Sequence, residues 1–178
     1  MKGVWMVGVA ALGATQAFAQ TADVEALDRA LFANPSATAV LQAWCDRHRP
    51  GQKIRAVVTR RETMSAGAHA ELLGVEESEQ IAYRHVQLTC GDEVLSEADN
   101  WYVPSRLTPE MNAALAGDTP FGVAVKPLAP SRRNLSSERS WNGKGGDEIL
   151  RHHAVLVATG QPIAEVVEVY QRAMLTAA

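Results

Sequence analysis

The sequence has no excess of positive charge. Its 17 Lys and Arg residues stand against 20 Asp and Glu, a formal charge of −3. No run of Lys and Arg interrupts that balance, so a nucleic-acid partner, which demands a basic patch, is not expected. Beyond its first residues the chain also lacks an apolar stretch long enough to cross a bilayer. It lacks the Cys-x-x-Cys and His-x-x-x-His spacings that hold metals, and no metal is expected. No serine sits in a Gly-x-Ser-x-Gly turn, which argues against a hydrolase nucleophile. Cysteine is scarce. Cys45 and Cys90 form one disulfide or remain two buried thiols, and a bond would close a long loop between a helix and a hairpin.

Residues 1–19 read as a secretory signal peptide. Lys2 supplies the positive end, Gly3 to Leu12 the apolar segment, and Ala17-Phe18-Ala19 a small-residue cleavage site before Gln20. The apolar segment is shorter than the ~20 residues a membrane span needs. The reading implies cleavage and a periplasmic or secreted protein with no membrane attachment. Residues 20–178 remain as one domain, and the loss of Lys2 takes the formal charge from −3 to −4. Such a compartment permits disulfides.

The organising stretch runs from Cys90 to Leu107, CGDEVLSEADNWYVPSRL. Gly91-Asp92 is turn chemistry, because glycine accepts positive φ and Asp bonds its own backbone. Before it, Ile81 to Cys90 is rich in β-branched and aromatic residues; after it a second strand runs into Trp101-Tyr102-Val103 and stops at Pro104, which cannot donate to a ladder. The two strands predict an antiparallel hairpin. Ser105 or Thr108 can cap the following helix, with Pro109 at its first position.

This unit occurs twice. Laying Glu97–Leu107 over Glu165–Leu175 sets Glu97 on Glu165, Asn100 on Glu168, Tyr102 on Tyr170 and Leu107 on Leu175, with Gly91 and Gly160 opening the second strands. Two helices precede the first hairpin, at Thr21–Ala33 and Ala37–His48, where apolar residues recur at helical spacing and Ser36 can cap the second. Lys53–Arg61 alternates as a strand, Thr63–Gly74 fits either a loop or a turn of helix, and Ser131–Trp141 reads as a further strand. Asn142–Asp147 reads as a flexible turn. The fold class is therefore α+β: a single antiparallel sheet from duplicated hairpins with helices packed on it. Trp44, Trp101 and Trp141 are expected in the core.

Taken in order, CGDEVLSEADNWYVPSRL at 90–107, GDTPFG at 117–122, SRRNL at 131–135 and GQPIAEVVEVY at 160–170 resemble chorismate pyruvate-lyase. The similarity in order and spacing runs from about Leu31 to Tyr170. The resemblance implies a chorismate lyase-like fold, shared with ligand-sensing domains of some bacterial transcription regulators, in which flaps close over a buried aromatic ligand. It implies elimination of pyruvate from chorismate to give 4-hydroxybenzoate, with no metal or cofactor; the protein is expected to be a monomer whose partner is a small aromatic carboxylate.

Carried over residue by residue, the family's acid falls on Glu168 or Glu165, with Glu168 preferred as the catalytic residue. Only one of these glutamates is expected to be buried. The flap leucine falls on Phe121 and a ligand-binding arginine on Arg133. The arginine of the first hairpin falls on His85, with Arg84 beside it; ungapped register favours His85, whereas the apolar row Val86-Leu88-Cys90 puts Arg84 with the core. A further arginine of the family falls on Asn100, which carries no charge. The site is thus less cationic than one for a dicarboxylate. Two functions follow: an exported lyase acting on chorismate or a related enol ether, or a non-catalytic periplasmic carrier or sensor of a small aromatic acid. Adjacent strand residues point to opposite faces, so His152 and His153 are not expected to share a ligand.

Overall fold

The computed structural model describes residues 23–140 and 146–175, and within them six strands form one antiparallel sheet in the order β1-β2-β3-β6-β5-β4. The strands are β1 (Ile54–Ser65), β2 (Gln80–Cys90), β3 (Glu93–Tyr102), β4 (Ser131–Arg139), β5 (Glu148–Ala158) and β6 (Gln161–Gln171). The helices are α1 (residues 23–33), α2 (Ala37–His48), α3 (Ala70–Leu73), α4 (Pro109–Leu115) and α5 (Phe121–Ala124). The expected leader at 1–19, Trp141 and most of the expected turn at 142–147 lie outside the described residues.

The duplicated unit is the frame of the sheet. Hairpins β2–β3 and β5–β6 turn through Gly91 (φ 61°) and Gly160 (φ 79°), in the left-handed region that a side chain disfavours. Strands β3 and β6 then pair at the centre, with Ser96 opposite Tyr170, Asp99 opposite Val167 and Tyr102 opposite Ala164. The alignment that sets Glu97 on Glu165 also sets Tyr102 on Tyr170 and Ser96 on Ala164. The register is therefore symmetric, and a pseudo-twofold axis passes through the Asp99–Val167 pair. The same correspondence sets Arg84 on His152 and Asn100 on Glu168. In each half these are cross-strand neighbours, Arg84 opposite Asn100 and His152 opposite Glu168. All four are buried.

Helices α1, α2, α4 and α5 cover one face, here the inner face. Leu31 of α1 and Leu41 and Trp44 of α2 pack on Val86, Leu88, Leu150 and Tyr170. Met111 and Leu115 of α4 and Phe121 of α5 pack on Tyr102, Leu156, Ala164 and Val166. Leu31 and Leu41 are almost fully buried; truncating either to Ala would cost about 2–5 kcal/mol. Ser36 caps α2 by accepting from the Ala39 N–H, and Thr108 caps α4 from Met111, with Pro109 at the first helical position. Cys45 and Cys90 are bonded, with a Cα–Cα distance of 5.8 Å, tying α2 to the end of β2.

Two stretches differ from the expectation. Strand β1 runs past Arg61 to Ser65, because Thr63 and Met64 find partners in Ala82 and Ile81. The ambiguous segment after it forms a 3-10 turn at Gly67–His69 and the single turn α3, closed by Gly74 at φ 60°. It lies on the outer face, where Ala66, Ala70 and Leu73 pack against Ile81 and Val103.

Candidate ligand-binding site

A cavity of about 420 Å³ lies between the inner face of the sheet, α2 and α5. That volume is in the range of small-molecule sites. Its walls are mostly apolar: Val86, Leu88, Ala98, Leu156 and Val166 from the sheet, Phe121 and Val125 from the segment that covers it. Its polar groups are few and come from three places. Asn100, Arg132 and Glu168 rise from the sheet, Ser36, Thr38 and Gln42 from α2, and Lys126 stands exposed at the rim.

Strand alternation explains the floor. Glu168 of β6 faces inward with Val166 and Tyr170, and Arg132 of β4 faces inward opposite Leu156. Arg132 Nη2 donates to Glu168 Oε2 at 2.6 Å and Nε donates to Asn134 Oδ1 at 2.8 Å. The Tyr170 hydroxyl donates to the same Glu168 oxygen at 3.0 Å. Burial works against the charge on Arg132, but the charge and hydrogen bond of Glu168 outweigh it and raise the guanidinium pKa. Burial first, then the charge of Glu168, pushes the Tyr170 phenol well above its ordinary value, so it stays a donor. The ion pair is neutral as a unit. Glu168 Oε1, Arg132 Nη1 and the side-chain amide of Asn100 make no hydrogen bond among the described residues, and Asn100 is only 3% exposed. The floor therefore offers both donors and acceptors to the space above it.

The cover is set by a close approach. A Cβ on Gly122 would lie 2.9 Å from Ser36 Oγ and 3.0 Å from Thr38 Oγ1, so α5 seats on the start of α2 closely enough that a side chain at 122 would have to displace those hydroxyls. The first turn of α2 faces the cavity through Ser36, Ala37, Thr38 and Ala39. Its N–H groups and the helix dipole favour an anion at that wall.

Arg84 faces inward, opposite Asn100, but its side chain lies in the wall and does not line the cavity. It is fully buried; Nη1 donates to the Thr119 carbonyl at 3.2 Å, while Nε and Nη2 have no partner. Burial pulls its pKa below the usual guanidinium value; the nearby Tyr102 opposes that shift and the like charge of Arg61 adds to it. Thr119 immediately precedes Pro120-Phe121-Gly122, so the one hydrogen bond of Arg84 goes to the cover of the cavity.

Phe121 and Asn100 line the cavity where the resemblance placed them, together with Glu168. Two positions are corrected. His85 points to the outer face, with Nδ1 2.8 Å from Asp99 Oδ1 and Nε2 3.8 Å from Glu97; once Arg84 takes the inner face, alternation excludes its neighbour. Arg133 is exposed on the outer face opposite Val155, and Arg132 takes the inward position. The burial of Glu165 is a third correction. Glu165 is 4% exposed although it faces away from Glu168, because the segment after β1 covers that part of the outer face. His69 Nδ1 and His153 Nε2 each lie 2.8 Å from its carboxylate oxygens, and His69 stacks on Trp101. Trp101 is half-buried there, whereas Trp44 is in the core. Among the described residues no cluster of His, Cys, Asp and Glu is arranged to hold a metal.

No family model matches the chain. The uncharacterized protein y4mC of Sinorhizobium fredii (strain NBRC 101917 / NGR234) is 41% identical over 177 residues, spanning 85% of this chain and 75% of that protein. The chain belongs to the family of y4mC. Among solved structures, the effector domain of PhnF from Mycobacterium smegmatis matches 78% of this y4mC-family chain and 90% of its own length, with a TM-score of 0.58 at 11% identity. A GntR-family transcriptional regulator from Enterococcus faecalis V583 matches 69% of this chain and 97% of its own, with a TM-score of 0.52 at 13% identity. These likenesses show the fold. The y4mC-family chain has the chorismate lyase-like fold found in the ligand-binding domains of GntR regulators.

Proposed function

We propose that this y4mC-family protein is an exported, non-catalytic binding protein for a small aromatic monocarboxylate. The observation that carries the reading is the state of the floor. A lyase acting on an enol ether needs a proton donor at the leaving oxygen. Glu168 Oε2 instead accepts from two donors, Arg132 and Tyr170. Charge supports the same choice. Arg132 and Glu168 cancel, which leaves Arg84 in the wall and the solvated Lys126 at the rim. That balance suits one carboxylate better than the two of chorismate.

In this reading the ring of the ligand lies between Val86, Leu88, Val166 and Phe121. Its carboxylate is held by the start of α2 and the nearby charge of Arg84, and a hydroxyl at the far end meets Glu168 Oε1 and Asn100. The neighbours in fold include an effector domain and a protein described as a ligand-binding domain, both consistent with binding without turnover. Calorimetric titration with 4-hydroxybenzoate and with benzoate tests the proposal, alongside incubation with chorismate. Binding of the monocarboxylates with no 4-hydroxybenzoate formed from chorismate is the expected result. Turnover of chorismate that disappears in Glu168→Gln would replace this reading with the lyase. Absence of binding by every aromatic acid tried would remove it.

A further inference from the structure

Helix α1 is held to the sheet by a buried carboxylate as well as by apolar packing. Val24 and Leu31 enter the core, and between them Asp28 is only 6% exposed. Asp28 Oδ1 accepts from Ser137 Oγ at 2.9 Å and lies 2.8 Å from His152 Nε2. Asp28 Oδ2 accepts from Arg139 Nε at 3.1 Å and Nη2 at 2.8 Å, while Arg139 Nη1 also reaches Glu25. The polar attachment of α1 therefore runs through Asp28 to β4 and β5, with Glu25 as a second, exposed contact to β4.

His152 is the enclosed member of this group. It is fully buried, with the ring of Phe32 from α1 5.1 Å away and the ring of Tyr170 5.7 Å away. Asp28 takes the proton on Nε2, and Nδ1 has no hydrogen-bond partner. A proton placed on Nδ1 would be a buried donor with nothing to receive it. The charged or titratable groups that face the ring are Asp28 and, beyond it, Glu25 from α1, Arg132 and Arg139 from β4, and Glu168 and Tyr170 from β6. Arg132 and Glu168 are already paired with each other.

We propose that α1 is an acid-released latch: the seated helix accepts only a neutral His152, and protonation of that ring frees α1 from the sheet. The latch does not rest on the identity of any ligand. It does adjoin the cavity, since His152 is the cross-strand neighbour of Glu168.

The direction of the pH effect follows from the seated state. Burial, the largest influence, lowers the His152 pKa below its ordinary value. The open state therefore binds more protons, and opening gains ground as pH falls below the ordinary histidine value of about 6.5. One proton per opening gives up to about a tenfold shift per pH unit. Burial opposes ionisation of Asp28, but its bonds to Arg139, His152 and Ser137 more than offset that and lower its pKa. Its contribution is lost only in a more acidic window, below about pH 4.

Hydrogen exchange of the full protein, read by mass spectrometry between pH 7.5 and 5.5 and corrected for intrinsic chemistry, tests the latch. Peptides covering 23–33 are expected to lose protection by up to about tenfold per pH unit below about 6.5, while the β2–β3 hairpin keeps its protection. His152→Gln retains a donor for Asp28 and cannot titrate, so it is expected to abolish the response. The proposal is overturned if α1 protection does not depend on pH, if the hairpin loses protection in parallel, or if His152→Gln responds as the parent does. Should that variant fail to fold, the comparison of α1 with the hairpin in the parent protein still decides.

Discussion

Replacing Arg84 with Met is expected to make the protein more stable and its cavity less able to hold an anion. Arg84 is fully buried, with one hydrogen bond, to the Thr119 carbonyl, and two nitrogens without partners. Leaving a buried polar group unpaired costs about 1–3 kcal/mol, so two such nitrogens cost about 2–6 kcal/mol. The single charge-assisted bond returns about 1.5–3 kcal/mol. Methionine removes both sides of that balance, and its unbranched chain fills much of the same space. Thr119 is only half-buried, so water can replace the lost donor at its carbonyl at little cost, and at the midpoints of these ranges the net expectation is a gain of about 1–2 kcal/mol. At the urea dependence usual for small proteins, the unfolding midpoint rises by roughly 0.5–1 M, with the slope unchanged. Affinity for a monocarboxylate is expected to fall by up to about tenfold, because the charge of Arg84 acts on the cavity from within its wall and not through a direct contact. Urea unfolding followed by tryptophan fluorescence and calorimetric titration read the two effects. A variant destabilised by more than about 1 kcal/mol would show that Arg84 is a structural residue whose burial is compensated, and the reasoning would fail.

The remaining predictions concern the walls. Removing the disulfide in Cys45→Ala/Cys90→Ala opens a loop of 45 residues and is expected to lower stability by about 4 kcal/mol on the chain-entropy account; an unchanged urea midpoint would contradict it. Arg132→Met leaves Glu168 buried without its cation and is expected to cost about 3–5 kcal/mol. The double variant Arg132→Met/Glu168→Leu should recover most of that loss, and a double-mutant cycle by urea unfolding measures the coupling. Gly122→Val drives a side chain into Ser36 Oγ and Thr38 Oγ1. It is expected to displace α5 and abolish ligand binding for about 1–3 kcal/mol of stability, as calorimetry and urea unfolding together would record.

The parts of the molecule read correctly from the sequence are those where polar and apolar residues contrast at short range. Ile81–Cys90 alternates against a glycine turn, and both hairpins and their common sheet follow from it. Ser36 and Thr108 are cap residues with helical patterns directly after them, and both cap. The failures have a common cause. Strand β4, SRRNLSSER, is polar on both faces, so its phase cannot be read from hydrophobicity, and a shift of one residue exchanges Arg132 for Arg133. Alternation allows only one of Glu168 and Glu165 to face the core, yet Glu165 is buried as well. Its burial comes from Ala66, Ala70 and Leu73, distant in sequence, which pack over that part of the outer face. Asp28 carried no signal at all: one acid in an amphipathic helix is ordinary until Arg139 and His152 close on it.

The pseudo-twofold axis relates the buried polar groups of the two halves. Both halves bury a polar pair at the same place on the inner face, Arg84 with Asn100 and His152 with Glu168. Strict symmetry would require the same solution for both pairs, but the two solutions differ. In the second half Glu168 is satisfied by Arg132 and Tyr170, and His152 is satisfied on one side by Asp28. In the first half the side chain of Asn100 makes no hydrogen bond among the described residues and that of Arg84 only one. Since buried polar groups are otherwise paired throughout folded proteins, the half that keeps its donors unspent, with Asn100 facing the cavity, is the one that the proposed ligand would engage. The half whose polar groups are engaged is where the fold fastens its first helix. Equivalent positions of the two halves thus differ in use: Arg84 keeps unpaired nitrogens behind the cavity wall, whereas His152 holds Asp28 of α1, and Arg84→Met and His152→Gln probe the two independently.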